Sequence, residues 1–161
     1  MGITIGPVDW WVASPESTNS LIPYCPEGTV LPDGSAIICK AGGTAWIVAP
    51  VTTQVSATWN GTTTDLVGDK CCVCDWSSLC TALVSAGFNP ADWFVPSCAQ
   101  LKNPGHVCRT NWDVYNLNSS GYWSSTEIDS SCGVCLNCCG SGAVVPKSST
   151  VSVRAFRCVT Y

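Results

Sequence analysis

Apolar and polar positions follow a recognisable period in only a few stretches of the chain, and those stretches mark its elements. Ala36-Ile37-Ile38-Cys39 and Ala45-Trp46-Ile47-Val48-Ala49 flank the turn-forming run Lys40-Ala41-Gly42-Gly43-Thr44, which predicts a β-hairpin. Trp76, Leu79, Cys80, Leu83 and Val84 fall at i, i+3, i+4, i+7 and i+8, the spacing of one face of a helix. Asp75 is placed to cap that helix at its start, and Gly87 to close it. A second, shorter helix is expected from about Ser97, just after Pro96, ending before Pro104. From Tyr122 onward the pattern becomes strand-like, over 122–127, 132–138, 143–145 and 151–159, with Gly140-Ser141-Gly142 as a turn. The Thr-rich stretch 52–64 reads as a strand or an exposed loop. Before the hairpin, no period persists. Pro23, Pro26 and Pro32 punctuate an arm, and Leu31-Pro32-Asp33-Gly34 has the chemistry of a turn. Helices in the middle with strands on both sides predict an α+β fold rather than a βαβ repeat. There is no internal repeat.

Composition sharpens this picture. The 161 residues suit one domain, long enough to bury a core without help from cysteines. Charged residues make up 11% of the chain, about half the usual share, whereas it holds 13 Cys and 8 Trp. Such a surface stays soluble through Ser, Thr, Asn and Gly, or lies against partners, and the tryptophan content favours partners. The net charge is −4 and the seven Lys and Arg are scattered, so nothing tracks a nucleic-acid backbone. No apolar run is long enough for a membrane span. Met1–Pro7 has neither a positive n-region nor an unbroken apolar stretch and does not read as a secretory signal.

Three ordered segments resemble a known family. They are Ala45-Trp46-Ile47-Val48-Ala49-Pro50; Asp92-Trp93-Phe94-Val95-Pro96-Ser97 followed by Gln100-Leu101; and Gly121-Tyr122-Trp123-Ser124-Ser125-Thr126-Glu127 with Val153-Arg154-Ala155-Phe156-Arg157. Together they resemble the family named for the C-terminal domain of the Legionella collagen-like adhesin, and its sister, the Fibrobacter major paralogous domain. The resemblance covers roughly residues 30–161. It implies a C-type-lectin-like single domain, also similar to the formylglycine-generating enzyme, with paired terminal strands, two helices packed on the sheet and a loop-rich upper half that carries binding. Members occur on bacterial surfaces and in phage virions, especially in tail fibres. On this basis residues 1–28 are expected to form an extended N-terminal attachment arm and 29–161 the domain.

Each motif residue also has a structural reading. Trp93, Pro96, Leu101 and Trp123 are expected in the core, with Pro96 starting the short helix, where its missing N–H costs nothing. Glu127 with Arg154 or Arg157 is expected to form an ion pair between neighbouring strands, a task suited to the guanidinium fork. Trp10, Trp11, Trp112, Tyr115, Asn116 and Asn118 are the candidate contacts to a ligand or partner. Trp112, Tyr115, Asn116 and Asn118 would stack on and hydrogen-bond a sugar without metal. The usual calcium triplets of lectins are absent, and no cluster of oxygen ligands replaces them.

The cysteines leave three states open: disulfides first, buried thiols second, zinc last. Cys71-Cys72-Val73-Cys74 and the run Cys132, Cys135, Cys138, Cys139 contain C-x-x-C spacings suited to zinc. On a strand, however, Cys132 and Cys138 would face away from Cys135 and Cys139, which makes this a weak zinc set. An odd cysteine count leaves at least one unpaired within the chain. His106, the only histidine, lies two places from Cys108, the one inexpensive nucleophile–base pairing; no carboxylate pair is marked.

The expectation is therefore a non-enzymatic phage virion protein, needing no cofactor. It would serve as a tail fibre or baseplate-associated adhesin, or as a capsid decoration protein. It would be made in the host cytoplasm and contact other virion proteins and copies of itself as a homo-oligomer, with a host-surface glycan as a further partner. The rival is a glycan-binding adhesin domain on a bacterial surface, and a remote third is a thiol oxidoreductase or zinc enzyme.

Overall fold

The protein is described by a computed structural model over residues 15–59, 71–112, 121–137 and 139–161. It has an α+β fold built on two five-stranded sheets. The hairpin forms as its pattern requires, with β1 (Ala36–Ala41) and β2 (Thr44–Val48) antiparallel around Gly42 and Gly43. Both glycines have positive φ, the conformation a tight hairpin turn demands. β2 pairs in turn with β10 (Phe156–Thr160), so a strand near the C-terminus closes against the early hairpin. The short β5 (Phe94–Val95) and β4 (Cys71–Cys72) complete this sheet in the order β1-β2-β10-β5-β4. The second sheet is ordered β3-β9-β6-β7-β8, from β3 (Val55–Ala57), β9 (Val151–Val153), β6 (Tyr122–Glu127), β7 (Cys132–Leu136) and β8 (Gly142–Pro146).

Two cores result, and the alternation of side chains along each strand decides which residue joins which. On β2, Ala45 and Ile47 face the first core, while Val48 joins the second and Trp46 packs against it. Trp123 and Cys135 belong to the first core, and their chain neighbours Tyr122 and Leu136 to the second. β6 lies at the centre of its sheet and carries side chains into both, which is why it is buried almost throughout. Helix α2 (Ser77–Ser85) packs Leu79 and Leu83 into the first core beside Trp76. Burial of each such large side chain contributes roughly 1.5–3 kcal/mol.

Several elements depart from the sequence pattern. Asp75 is not the cap of α2: it ends a 3-10 turn over Val73–Asp75, and Trp76 takes the cap position without a side-chain hydrogen bond. The stretch 151–159 is not one strand. Its apolar run is interrupted at Arg154 and Ala155, where the chain passes from the second sheet (β9) to the first (β10). Residues 15–28 are not an extended arm. Pro15–Leu21 is helix α1, Ile22 is fully buried in the first core, and Gly28 N–H donates to Ile37 O at 2.8 Å. Lys40 holds this segment down by donating from Nζ to Ile22 O, Pro23 O and Cys25 O at 2.9, 3.2 and 3.0 Å. The short helix α3 (Cys98–Gln100) begins near Ser97 as expected, but Ser97 is its cap, so Pro96 lies just outside the helix instead of starting it, and a π-helical segment, Leu101–His106, carries the chain on through Pro104. Ser97 Oγ accepts from Gln100 N–H and Gln100 Oε1 accepts from Ser97 N–H, a complete capping box. No helix among the described residues is long and apolar enough to cross a membrane.

Candidate functional site

Trp112 lies on the second core, at the end of the turn Arg109–Asn111. Its indole packs between Tyr122 and Phe156, with ring centroids at 5.5 and 5.4 Å. Its Nε1 donates to Gly105 O at 2.9 Å, and the Arg154 guanidinium sits 5.3 Å from its ring. The half-buried ring is thus fixed by the fold on several sides. Trp10, Trp11, Tyr115, Asn116 and Asn118 lie outside the described residues, so of the six candidate contacts only Trp112 is placed.

Trp93, Pro96, Leu101 and Trp123 are all buried. Trp123 Nε1 donates to Ala57 O at 2.8 Å, tying β6 to β3, and Phe88 packs edge-on against Trp93 with centroids 5.3 Å apart. The segments around these residues also meet each other: Ser125 N–H donates to Pro96 O, and Cys98 N–H to Thr126 Oγ1, both at 2.9 Å.

The charged residues are distributed differently from the expectation. Glu127 does not pair with Arg154 or Arg157; it pairs with Lys147. The reason is register. β6 and β9 pair in parallel at Tyr122 and Ser152, but the chain leaves that sheet after Val153, short of the level of Glu127. Lys147 reaches Glu127 from the turn after β8, where Lys147 N–H donates to Ser131 O at 2.8 Å. Its ammonium also lies 4.4 Å from the Trp59 ring. Arg154 instead turns to Ala49 O, donating from Nε and Nη2 at 3.2 and 3.0 Å. Arg157 lies on the Trp93 ring, 4.9 Å away, with Nη2 3.8 Å from Asp33 Oδ2. Burial lowers the pKa of the Arg157 guanidinium, against the opposing pull of Asp33 and Asp92.

His106 and Cys108 do not form a nucleophile–base pair. Arg109 Nη1 donates to His106 Nε2 at 2.9 Å, and a lone pair held by a guanidinium is not available to take a proton from a thiol. Cys108 instead interacts with Cys39. No disulfide forms among the described residues, and Cys25, Cys39, Cys80, Cys98, Cys108 and Cys132 are free thiols. The zinc set is not assembled there either. Cys138 lies outside the described residues, Cys135 is buried at 3% exposure, and Cys139 is exposed. Among the described residues no three His, Cys, Asp or Glu side chains gather as metal ligands.

Two thiols are held well above their ordinary pKa. Burial, then the neighbouring Cys108 sulfur and Glu27 carboxylate, push Cys39 up to about 11. Burial, then Cys98, push Cys135 to about 11. Cys98 is raised by burial and partly restored by Lys102. Desolvation favours the neutral form of such groups, so near neutral pH only a small fraction is thiolate. The Cys39–Cys108 contact went unseen in the sequence because the two residues carry no shared spacing; only the packing of β1 on the turn after residue 106 joins them. The chain matches no protein-family model, and no curated protein matches it.

Proposed function

We propose that this chain is a non-enzymatic binding and structural domain of a bacteriophage virion, with a C-type-lectin-like fold. It acts through contacts with other virion proteins and with copies of itself. The observation that supports this reading best is the convergence of the segments that carry the family resemblance. Strand β2 (Thr44–Val48), β5 (Phe94–Val95) and β10 (Phe156–Thr160) lie side by side in one sheet, and Trp93 and Trp123 share one core. The side chains with the most obvious chemistry are turned to the fold's own use. His106 is engaged by Arg109, Trp112 is packed against two aromatic rings, and Arg154 binds the carbonyl of Ala49.

Proteomic analysis of purified particles of the phage that encodes the chain tests the reading, together with a glycan array probed with the isolated protein. Detection in particles, with no glycan captured, supports a decoration or adaptor role; detection with a reproducible glycan supports a tail adhesin. Glycan capture with absence from particles replaces the proposal by that of a bacterial surface adhesin domain.

A further inference from the structure

The geometry points to a redox-active cysteine pair: Cys39 and Cys108 close to a disulfide that staples strand β1 to the turn carrying Trp112. The Cys39 and Cys108 side chains interact, and both pack against the second core, so the two thiols lie on one patch of the fold; closure brings their sulfurs to the roughly 2 Å of a disulfide bond. Contacts on either side of the pair hold it together. Asn111 Nδ2 donates to Ile38 O at 2.8 Å, one residue before Cys39, while Asn111 N–H donates to Cys108 O at 2.9 Å. Gly28 packs on the same Asn111 side chain, where an added β-carbon would lie 3.3 Å from Oδ1. The β-bulge between Ile37 and Cys39 also contributes. It breaks the alternation of β1, so that Ile38 and Cys39 both pack on the second core, to which Cys108 also belongs. Both thiols are partly exposed, so a small oxidant reaches them.

The oxidant is a low-molecular-weight disulfide. One thiolate of the pair attacks a sulfur of the reagent, expels one small thiolate and leaves a mixed disulfide on the protein. The second thiolate attacks the protein sulfur of that mixed disulfide and expels the second small thiolate. Two electrons and two protons pass from the protein to the reagent, which is reduced to two thiols. The Cys39 thiol, raised to about 11, is protonated near neutrality, so closure accelerates as pH rises. The product fixes β1, and with it the hairpin, to the segment on which Trp112 stands.

The test uses the whole chain. The reduced protein is incubated with oxidised glutathione at pH 8.5, blocked with N-ethylmaleimide and digested without reduction for mass spectrometry. The expected product is a peptide pair joined through Cys39 and Cys108 and lacking two hydrogens. Its formation should raise the thermal midpoint by several degrees. Neither Cys39→Ala nor Cys108→Ala should show that rise; if either variant fails to fold, the wild-type peptide map decides alone. Recovery of both cysteines as maleimide adducts, persistence of glutathione on one of them, or bonding of each to a different cysteine would overturn the proposal.

Discussion

Lys40 shows how this charge-poor chain uses the few ions it has. One ammonium satisfies three backbone carbonyls of residues 22–25 and lies 4.7 Å from the Tyr161 ring, so it joins both ends of the described fold to β1. Hydrogen bonds to a charged donor contribute about 1.5–3 kcal/mol. Lys40→Met should therefore lower stability by about 2 kcal/mol in urea titrations, whereas Lys102→Ala, on an exposed side chain, should change it by less than about 0.5 kcal/mol. The buried thiols set a pH dependence whose sign follows from their shifts. Cys39 and Cys135 are raised from 9.0 to about 11 in the folded protein. Between those values the unfolded chain has released protons that the folded chain retains, so stability present below pH 9 is lost as pH climbs toward 11. Urea midpoints at pH 8.5 and 10.5 should differ less in Cys39→Ser than in the wild type; an equal drop in both would contradict the assignment.

At the scale of elements, two glycines mark close approaches that no other residue permits. A β-carbon on Gly121, where φ is +70°, would sit 2.0 Å from Leu136 O; one on Gly133 would sit 2.8 Å from Trp59 Cδ1. Gly133→Ala should cost about 1–3 kcal/mol by displacing the Trp59 indole from the carbonyl of Ser124, visible as a change in near-ultraviolet circular dichroism. Gly121→Ala should cost more, because a backbone atom cannot move aside as a side chain can. The capping box offers a milder case: Ser97→Ala should remove about 1 kcal/mol by the same titration. These elements differ in how plainly the sequence announces them. The β1–β2 hairpin and the approximate start of the short helix were legible because each rests on local residues, Gly42-Gly43 in one and the Pro96-Ser97 boundary in the other, whereas the pairing of Ser97 with Gln100 that caps the helix was not read. The true start of α2 was not, since Asp75 is a good cap in isolation but is drawn into the preceding 3-10 turn. The helix at Pro15–Leu21 was hidden by a composition rich in turn formers, and is followed directly by the buried Ile22.

Across the whole molecule, the passage at Arg154 and Ala155 joins the two sheets, and it was the feature least visible in advance. Val151–Val159 reads as one apolar strand; only the positions of β2 and β6 decide that it must divide between them. Arg154 secures the crossing through two bonds to Ala49 O, while Ala49 N–H donates to Ala155 O at 2.9 Å. Arg154→Met, similar in length but without donors, should cost about 2–4 kcal/mol and alter tryptophan fluorescence through Trp112. The expected Glu127–arginine pair failed for the same reason: ion pairing follows strand register, and register here is set by a sheet switch that no local spacing encodes. What the fold binds is the least legible part, since Trp112 is fixed largely by its own core and the other candidate contacts lie outside the described residues. The proposed virion role is tested most directly by quantitative mass spectrometry of gradient-purified particles, with copy number referred to the major head and tail proteins. A virion component should appear at a fixed, whole-number stoichiometry per particle that survives high-salt washing. Absence of the chain, or trace amounts that vary between preparations and wash away, would contradict it.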